Sequence, residues 1–313
     1  MTINFCSLFT VLALAAHVAT AGDFLQDSVR IVQSFEPGRT YHLEVQRRKH
    51  HSEDRDTIRI TGTTPVELTI TGAHDGLKLC SWKYGTTKLS GVDPALVDVQ
   101  TKQLMNVYEG LEVMFLVNQD GMYQQMANFE RCKAQILSTV RTLLNSGATA
   151  ASPEDVNTIV RELEASLTEE RVLADTFFPE LPAYFSFFGK TLTADSSYKK
   201  TDTTPNPFGG ERFPFIEMAK LVFAGKQEAR IHVAREIPEK DLNEILTETF
   251  RELNASSGQI FDEKLVPKFR MRTDSYYGYD RVKKRLSDLV MEKTVEIDNT
   301  KQMQFVRVKL LDR

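Results

Sequence analysis

The chain has 313 residues, room for one large domain or two smaller ones. Hydrophobic residues make up 41%, charged residues 26% and aromatics 9%, which excludes a chain too polar to build a core. With 39 Lys and Arg against 43 Asp and Glu, the net charge of −4 gives no global basis for nucleic-acid binding, and a single long uncharged stretch excludes a polytopic membrane protein.

Residues 1–22 carry no charged side chain, and 5–16 (FCSLFTVLALAA) form a mostly apolar run. About twenty apolar residues are needed to span a bilayer, whereas a secretory segment needs roughly 7–15 followed by small residues. Ala19-Thr20-Ala21 supplies that ending, which predicts a signal peptide over 1–21 cut between Ala21 and Gly22. The mature chain would then have no transmembrane segment and would be periplasmic or extracellular. The first four residues lack Lys and Arg, so an uncleaved anchor is the alternative. Cleavage removes Cys6 and leaves Cys80 and Cys132. An even count in an exported chain predicts one disulfide, worth about 4 kcal/mol for a loop of this length; two buried free thiols are the other reading.

The N-terminal part reads as strands. Tyr41, Leu43 and Val45 alternate with His42, Glu44 and Gln46, and similar runs follow over 57–61, 65–71 and 77–84. Gly62-Thr63-Thr64 suits a hairpin connection, and the shift of phase at Trp82 and Tyr84 suits a bulge. Two further strands, 111–117 and 122–127, flank an Asp120-Gly121 turn signal.

Helices follow. From Phe129 the apolar positions Cys132, Ile136, Leu137, Val140 and Leu144 recur at three and four, until Asn145-Ser146-Gly147 ends the pattern. Ser152-Pro153-Glu154-Asp155 joins a hydroxyl N-cap, a first-turn proline and a carboxylate three residues on, the start of a second helix. A third begins near Glu169 and runs toward Phe178. The Thr-, Pro- and Gly-rich stretch 191–212 reads as a loop or linker. Strands resume over 213–223 and 229–236, a helix covers 238–253, and strands over 265–273, 285–298 and 302–311 close the chain.

This order predicts an α+β fold: an antiparallel, curved sheet built from N- and C-terminal strands, with the central helical segment packed on it. The parts are 22–190, the linker 191–212, and 213–313, which would complete the same domain. Two sheet-plus-helix domains are the alternative.

Sites of known chemistry are few. Gly189-Lys190-Thr191 resembles the end of a phosphate-binding loop, but Tyr184 stands where that loop needs glycine. His50-His51-Ser52-Glu53-Asp54 gathers possible ligands, yet neighbours on a strand point to opposite faces, so a solvated turn is the expectation. No cofactor or metal is predicted. Asn254-Ala255-Ser256 matches a glycosylation acceptor. Residues 177–188 hold six aromatics, among them Phe177, Phe178, Tyr184, Phe185 and Phe188. At helical spacing they suit either a helix face closing the core or the wall of an apolar ligand cavity. From Lys264 to Arg285, eight Lys or Arg stand against two Asp, and Lys268, Arg270 and Arg272 would share one strand face suited to an anionic partner.

The leading functional expectation is an exported non-enzymatic protein that binds an apolar or amphipathic ligand or an envelope component, with no nucleic-acid partner. The alternatives are a secreted hydrolase whose acid and base lie far apart in sequence, and an interaction protein using the basic strand face. Nothing in the sequence indicates an oligomeric state.

Overall fold

A computed structural model describes residues 28–53, 56–74, 76–90, 106–146, 152–195, 197–204, 206, 211–256, 261–263, 266–298 and 300–311. The expected signal segment and its cleavage site at Ala21 and Gly22 lie outside these residues.

The strands are β1 (Ser28–Arg30), β2 (Thr40–Glu53), β3 (Asp56–His74), β4 (Leu77–Tyr84), β5 (Lys88–Ser90), β6 (Glu112–Val117), β7 (Tyr123–Met126), β8 (Thr191–Thr193), β9 (Tyr198–Thr204), β10 (Phe213–Ala224), β11 (Glu228–Glu236), β12 (Phe269–Asp280), β13 (Arg285–Ile297) and β14 (Thr300–Leu310). The helices are α1 (Phe129–Ser146), α2 (Pro153–Ser166), α3 (Glu170–Phe177), α4 (Glu180–Tyr184) and α5 (Glu239–Ser256). Twelve strands form one antiparallel sheet in the order β7-β6-β4-β3-β2-β14-β13-β12-β11-β10-β9, with β5 alongside β3; β1 and β8 form a separate pair. The protein is therefore mostly antiparallel sheet with a few helices, as an α+β chain requires. Its N- and C-terminal strands meet where β2 pairs with β14, from Leu43↔Leu310 to Ser52↔Lys301.

The sheet curls around α4 without closing. The segment from Glu180 to Ser186 touches strands far apart in the sheet order. Phe185 O accepts from Tyr123 N–H of β7 (3.2 Å), Ala183 O from the Tyr277 hydroxyl of β12 (3.2 Å), and the Tyr184 hydroxyl donates to Leu286 O of β13 (2.8 Å). Laid flat, β7 and β12 would be roughly 33 Å apart. Only a strongly curved sheet brings both to one helical turn. Its two edges, β7 and β9, do not pair with each other.

Alternation explains which side chains line the concave face. Along β10, Phe213, Phe215, Ala219 and Leu221 are buried, while Met218, Lys220 and Val222 are exposed on the other side. The main core takes Ala219 and Leu221 with the other inner residues around α4, and a second, smaller one forms where α5 lays Leu242, Ile245 and Leu246 over Phe213, Phe215 and Ile237. Asn243 docks α5 on the start of β12, accepting from Phe269 N–H (2.9 Å) and donating to Phe269 O (3.1 Å). Helix α2 begins as its sequence predicts: Ser152 Oγ accepts from Asp155 N–H (3.2 Å) and the Asp155 carboxylate accepts from Ser152 N–H (3.1 Å).

Several expectations are corrected. The runs 57–61 and 65–71 are one strand, because Gly62, Thr63 and Thr64 continue the ladder opposite Arg47, Gln46 and Val45. The bulge lies between Ile70 and Gly72 of β3. The stretch 191–212 is not simply a loop, since it contains β8 and the edge strand β9, whose threonines suit a half-solvated strand. Strand β12 begins at Phe269, so Lys268 precedes it. No disulfide forms: Cys80 and Cys132 are both buried free thiols, the Cys132 thiol donating to Asn128 Oδ1 (3.3 Å) and Glu112 O (3.6 Å) within its own surroundings. The acceptor Asn254 sits in the last turn of α5.

Candidate functional site

The aromatic segment forms the centre of the core. Phe178, Tyr184, Phe185 and Phe188 are buried, and Phe177 is half-buried at the rim. The Phe185 ring centroid lies 5.0 Å from that of Phe115, 5.2 Å from Tyr184, 6.1 Å from Phe188 and 6.4 Å from Trp82, so these rings fill one another's surroundings. Pro182 is tolerated because it stands in the first turn of α4, where its missing N–H leaves no bond unmade.

A different feature emerges from the register. Glu217 of β10 stands directly opposite Arg235 of β11, Arg235 opposite Thr273 of β12, Thr273 opposite Lys293 of β13, and Lys293 opposite Gln304 of β14. Five adjacent strands thus contribute one polar side chain each to a row on the concave face. On one side of this belt the next row is Ala219, Val233, Ser275, Met291 and Val306, which joins the main core apart from Ser275. On the other side Met271 faces Val295 and Phe269 faces Ile297. Phe269 and Met271 pack on the second core, but Val295 and Ile297 are half-buried and belong to neither.

Helix α3 lies against the belt. Its Arg171 and Asp175, one turn apart, are 3.7 Å from each other, and Arg171 is 3.8 Å from Asp202 of β9. Arg235 is held by Glu217 at 2.8 Å, with its guanidinium over the Phe215 ring at 4.5 Å. Arg212 grips Glu169 with both carboxylate oxygens (3.0 and 3.1 Å), and Lys200 donates to Asp202 (2.6 Å). Burial pushes the Asp175 carboxyl above its ordinary pKa, against the pull of Arg235, Arg171, Lys293 and Arg212. Burial also pulls Lys293 below the usual lysine range, although the Asp175 charge opposes it. Among the described residues Lys293 makes no ion pair or side-chain hydrogen bond. The belt can hold an anion or a polar head group, and it contains no pairing of a nucleophile with a base.

The sequence carries a signal for this row. Glu217, Arg235 and Lys293 each occupy the apolar phase of a strand with apolar residues on both sides: Phe215 and Ala219, Val233 and Ile237, Met291 and Val295. A charge in phase with a buried face is costly unless it is paired or used. The alignment of all three into one row depends on register, which one chain's sequence does not display.

The basic residues lie on the opposite, convex side. Arg270 donates to Glu239 (2.8 Å) and Arg272 grips Asp274 through two nitrogens (2.7 and 2.9 Å), while Lys268 is exposed ahead of the strand. His232 lies 2.8 Å from Asp274 and stacks on Tyr276 at 4.7 Å. Burial opposes ionisation of Asp274, but hydrogen bonds from Arg272 and His232 outweigh it and hold the carboxyl below its usual range. Among the described residues no serine, threonine or cysteine bonds to His232. A cavity of about 410 Å³ opens among Gln227, Glu228, Asp280, Val282, Lys283 and Ser287, near the turns at one end of the sheet. Among the described residues no three His, Cys, Asp or Glu side chains converge as a metal site, and no helix is long and apolar enough to cross a membrane.

No protein family is matched by the sequence, and no curated protein is either. A solved structure of lipovitellin, described by its lipid–protein interactions, aligns with 89% of this chain at 10% identity and a TM-score of 0.45; the chain covers 26% of its length. A porin variant of Rh. blastica aligns with 87% of this chain and all of its own, at 8% identity and a TM-score of 0.25. An outer-membrane channel from Pseudomonas putida F1 aligns with 90% of this chain and 98% of its own, at 9% identity and 0.17. Likenesses of this degree assign no function.

Proposed function

We propose that this chain is an exported protein without catalytic activity, whose concave sheet face binds an amphipathic ligand. The apolar segment 5–16 with its Ala19-Thr20-Ala21 ending supports export. The observation that carries the binding reading is the banding of the concave face: a polar belt through Arg235, Thr273 and Lys293 borders a half-buried apolar strip at Val295 and Ile297. A ligand with a polar end and an apolar end matches that sequence of bands. The aromatic rings of 177–188 are engaged with one another and with Phe115 in the main core.

Two alternative readings have less support. A hydrolase could draw on His232 and Asp274, but that pair rests on the convex face beside Tyr276, and among the described residues no serine, threonine or cysteine bonds to it. An anionic partner on the basic face would meet Arg270 and Arg272 already joined to carboxylates.

The test is a fluorescence titration of the full chain with a long-chain polyene fatty acid and, separately, its uncharged methyl ester. Saturable binding of at least one, weakened by Val295→Glu, is the expected result. Failure of both to bind saturably would overturn the reading.

A further inference from the structure

We propose that Lys293 anchors the carboxylate of a long-chain fatty acid, whose hydrocarbon chain runs along β13 over Val295 and Ile297. This rests on the amphipathic-ligand reading above and specifies its head group.

The other cations around the belt are committed to carboxylates. Arg235 is held by Glu217, Arg171 by Asp175 and Asp202, Arg212 by Glu169, and Lys200 by Asp202. Lys293 stands among them with no ion pair to any described residue, half-buried in the sheet face. The Asp175 charge acts on Lys293 from beyond ion-pair distance and is shared with Arg171, so a carboxylate placed against the ammonium would supply the close partner it lacks. Its cross-strand neighbours add hydrogen-bond donors at the same level, the Thr273 hydroxyl on one side and the Gln304 amide on the other.

Direction follows from the strand. Side chains two apart share a face, so Val295 and Ile297 succeed Lys293 on the concave side, the row from Lys293 to Ile297 spanning about 13 Å. Met271 and Phe269 lie beside them on β12, where they pack on the second core and border the strip. In the other direction Met291 belongs to the packed core, so a chain has no room that way.

The charge favours a monoanion. The five cations Arg171, Lys200, Arg212, Arg235 and Lys293 face the four carboxylates Glu169, Asp175, Asp202 and Glu217, so one positive charge is left over, which a carboxylate matches better than a dianionic phosphate monoester.

The experiment compares the polyene fatty acid, its methyl ester and a lysophosphatidic acid on the full-length protein, on Lys293→Met and on Lys293→Arg. The wild-type protein should bind the acid about tenfold or more tightly than the ester. Lys293→Met, which keeps length and loses charge, should abolish that preference while the ester's affinity changes less than about twofold. Lys293→Arg should retain the preference, which separates charge from packing. If the acid still binds Lys293→Met as it binds wild type, the anchor assignment is overturned while the amphipathic-ligand reading stands. Tighter binding of lysophosphatidic acid than of the fatty acid would overturn the carboxylate assignment. Absence of saturable binding by all three probes would overturn both readings together.

Discussion

Arg47 and Glu180 show how a single pair holds the curled sheet to its central helix. Glu180 opens α4 with no exposed surface, and its Oε1 accepts from the Arg47 guanidinium of β2 and from the Tyr84 hydroxyl of β4 (2.7 Å). Arg47 also lies over the Tyr108 ring at 4.2 Å. Burial raises the Tyr84 pKa, and the neighbouring Glu180 charge raises it further, so that hydroxyl remains a donor. A buried pair contributes little over an apolar substitute, but removing one partner strands a charge in the core. Arg47→Met should cost about 3–5 kcal/mol in urea unfolding, and Arg47→Met combined with Glu180→Leu should cost clearly less than the sum of the two singles. A single-variant cost below about 1 kcal/mol would remove the clamp from this account. The two thiols give a second check at this scale. Burial pushes Cys80 up to about 12 and Cys132 up to about 11. At pH 8 such thiols hold a thiolate fraction on the order of 0.1% or less. Iodoacetamide should leave both unmodified in the folded protein and label both in urea without prior reduction, as read by peptide mass spectrometry. A need for reductant would indicate a bond between them.

At the level of elements, short-range chemistry was legible and pairing was not. The start of α2 could be read from Ser152, Pro153 and Asp155 because every atom of that cap lies within one turn. Gly62-Thr63-Thr64 continues the strand for the converse reason. Those residues look like a turn locally, and only their long-range partners in β2 hold them extended. The aromatic segment was legible as a short helix, but not as the object around which seven strand-to-strand steps bend. The belt was legible only as charges in the wrong phase. Helix α3 tests whether those charges are felt. Native Asp175 holds its proton more firmly than the unfolded chain does, because burial raises its pKa. Ionising it at neutral pH therefore costs stability, and the cost fades as pH falls through the raised native value toward the unfolded value of about 3.9. Asp175→Asn should raise the urea midpoint at pH 7, and its advantage should shrink steadily on acidification to pH 4. A variant less stable than wild type at pH 7 would mean that Arg171, Arg235 and Lys293 together outweigh the burial of the carboxylate.

For the molecule as a whole, the decisive contact is the seam between the first long strand and the last. Strand β14 lies in the middle of the sheet, between β2 and β13, and places Val308 and Leu310 in the core. The contacts of α4 are divided by that seam: Arg47 and Tyr84 lie on one side, Leu286 and Tyr277 on the other. Without β14 the sheet becomes two open pieces, each with a new unpaired edge, and the helix has no single concavity to fill. The closure also joins residues at opposite ends of the sequence, a non-local topology that folds slowly because the loop must be closed before its contacts form. The chain's one tryptophan reports on this region directly, since Trp82 is fully buried within 6.0 Å of the Tyr184 ring and 6.4 Å of Phe185. A chain ended after Asp298 should show red-shifted tryptophan emission and lose its cooperative urea transition, and adding a peptide of residues 300–311 should restore part of both. Should the shortened chain keep the emission maximum and midpoint of the full chain, the seam would not be what holds α4 in place, and the two halves of the sheet would have to be stable separately.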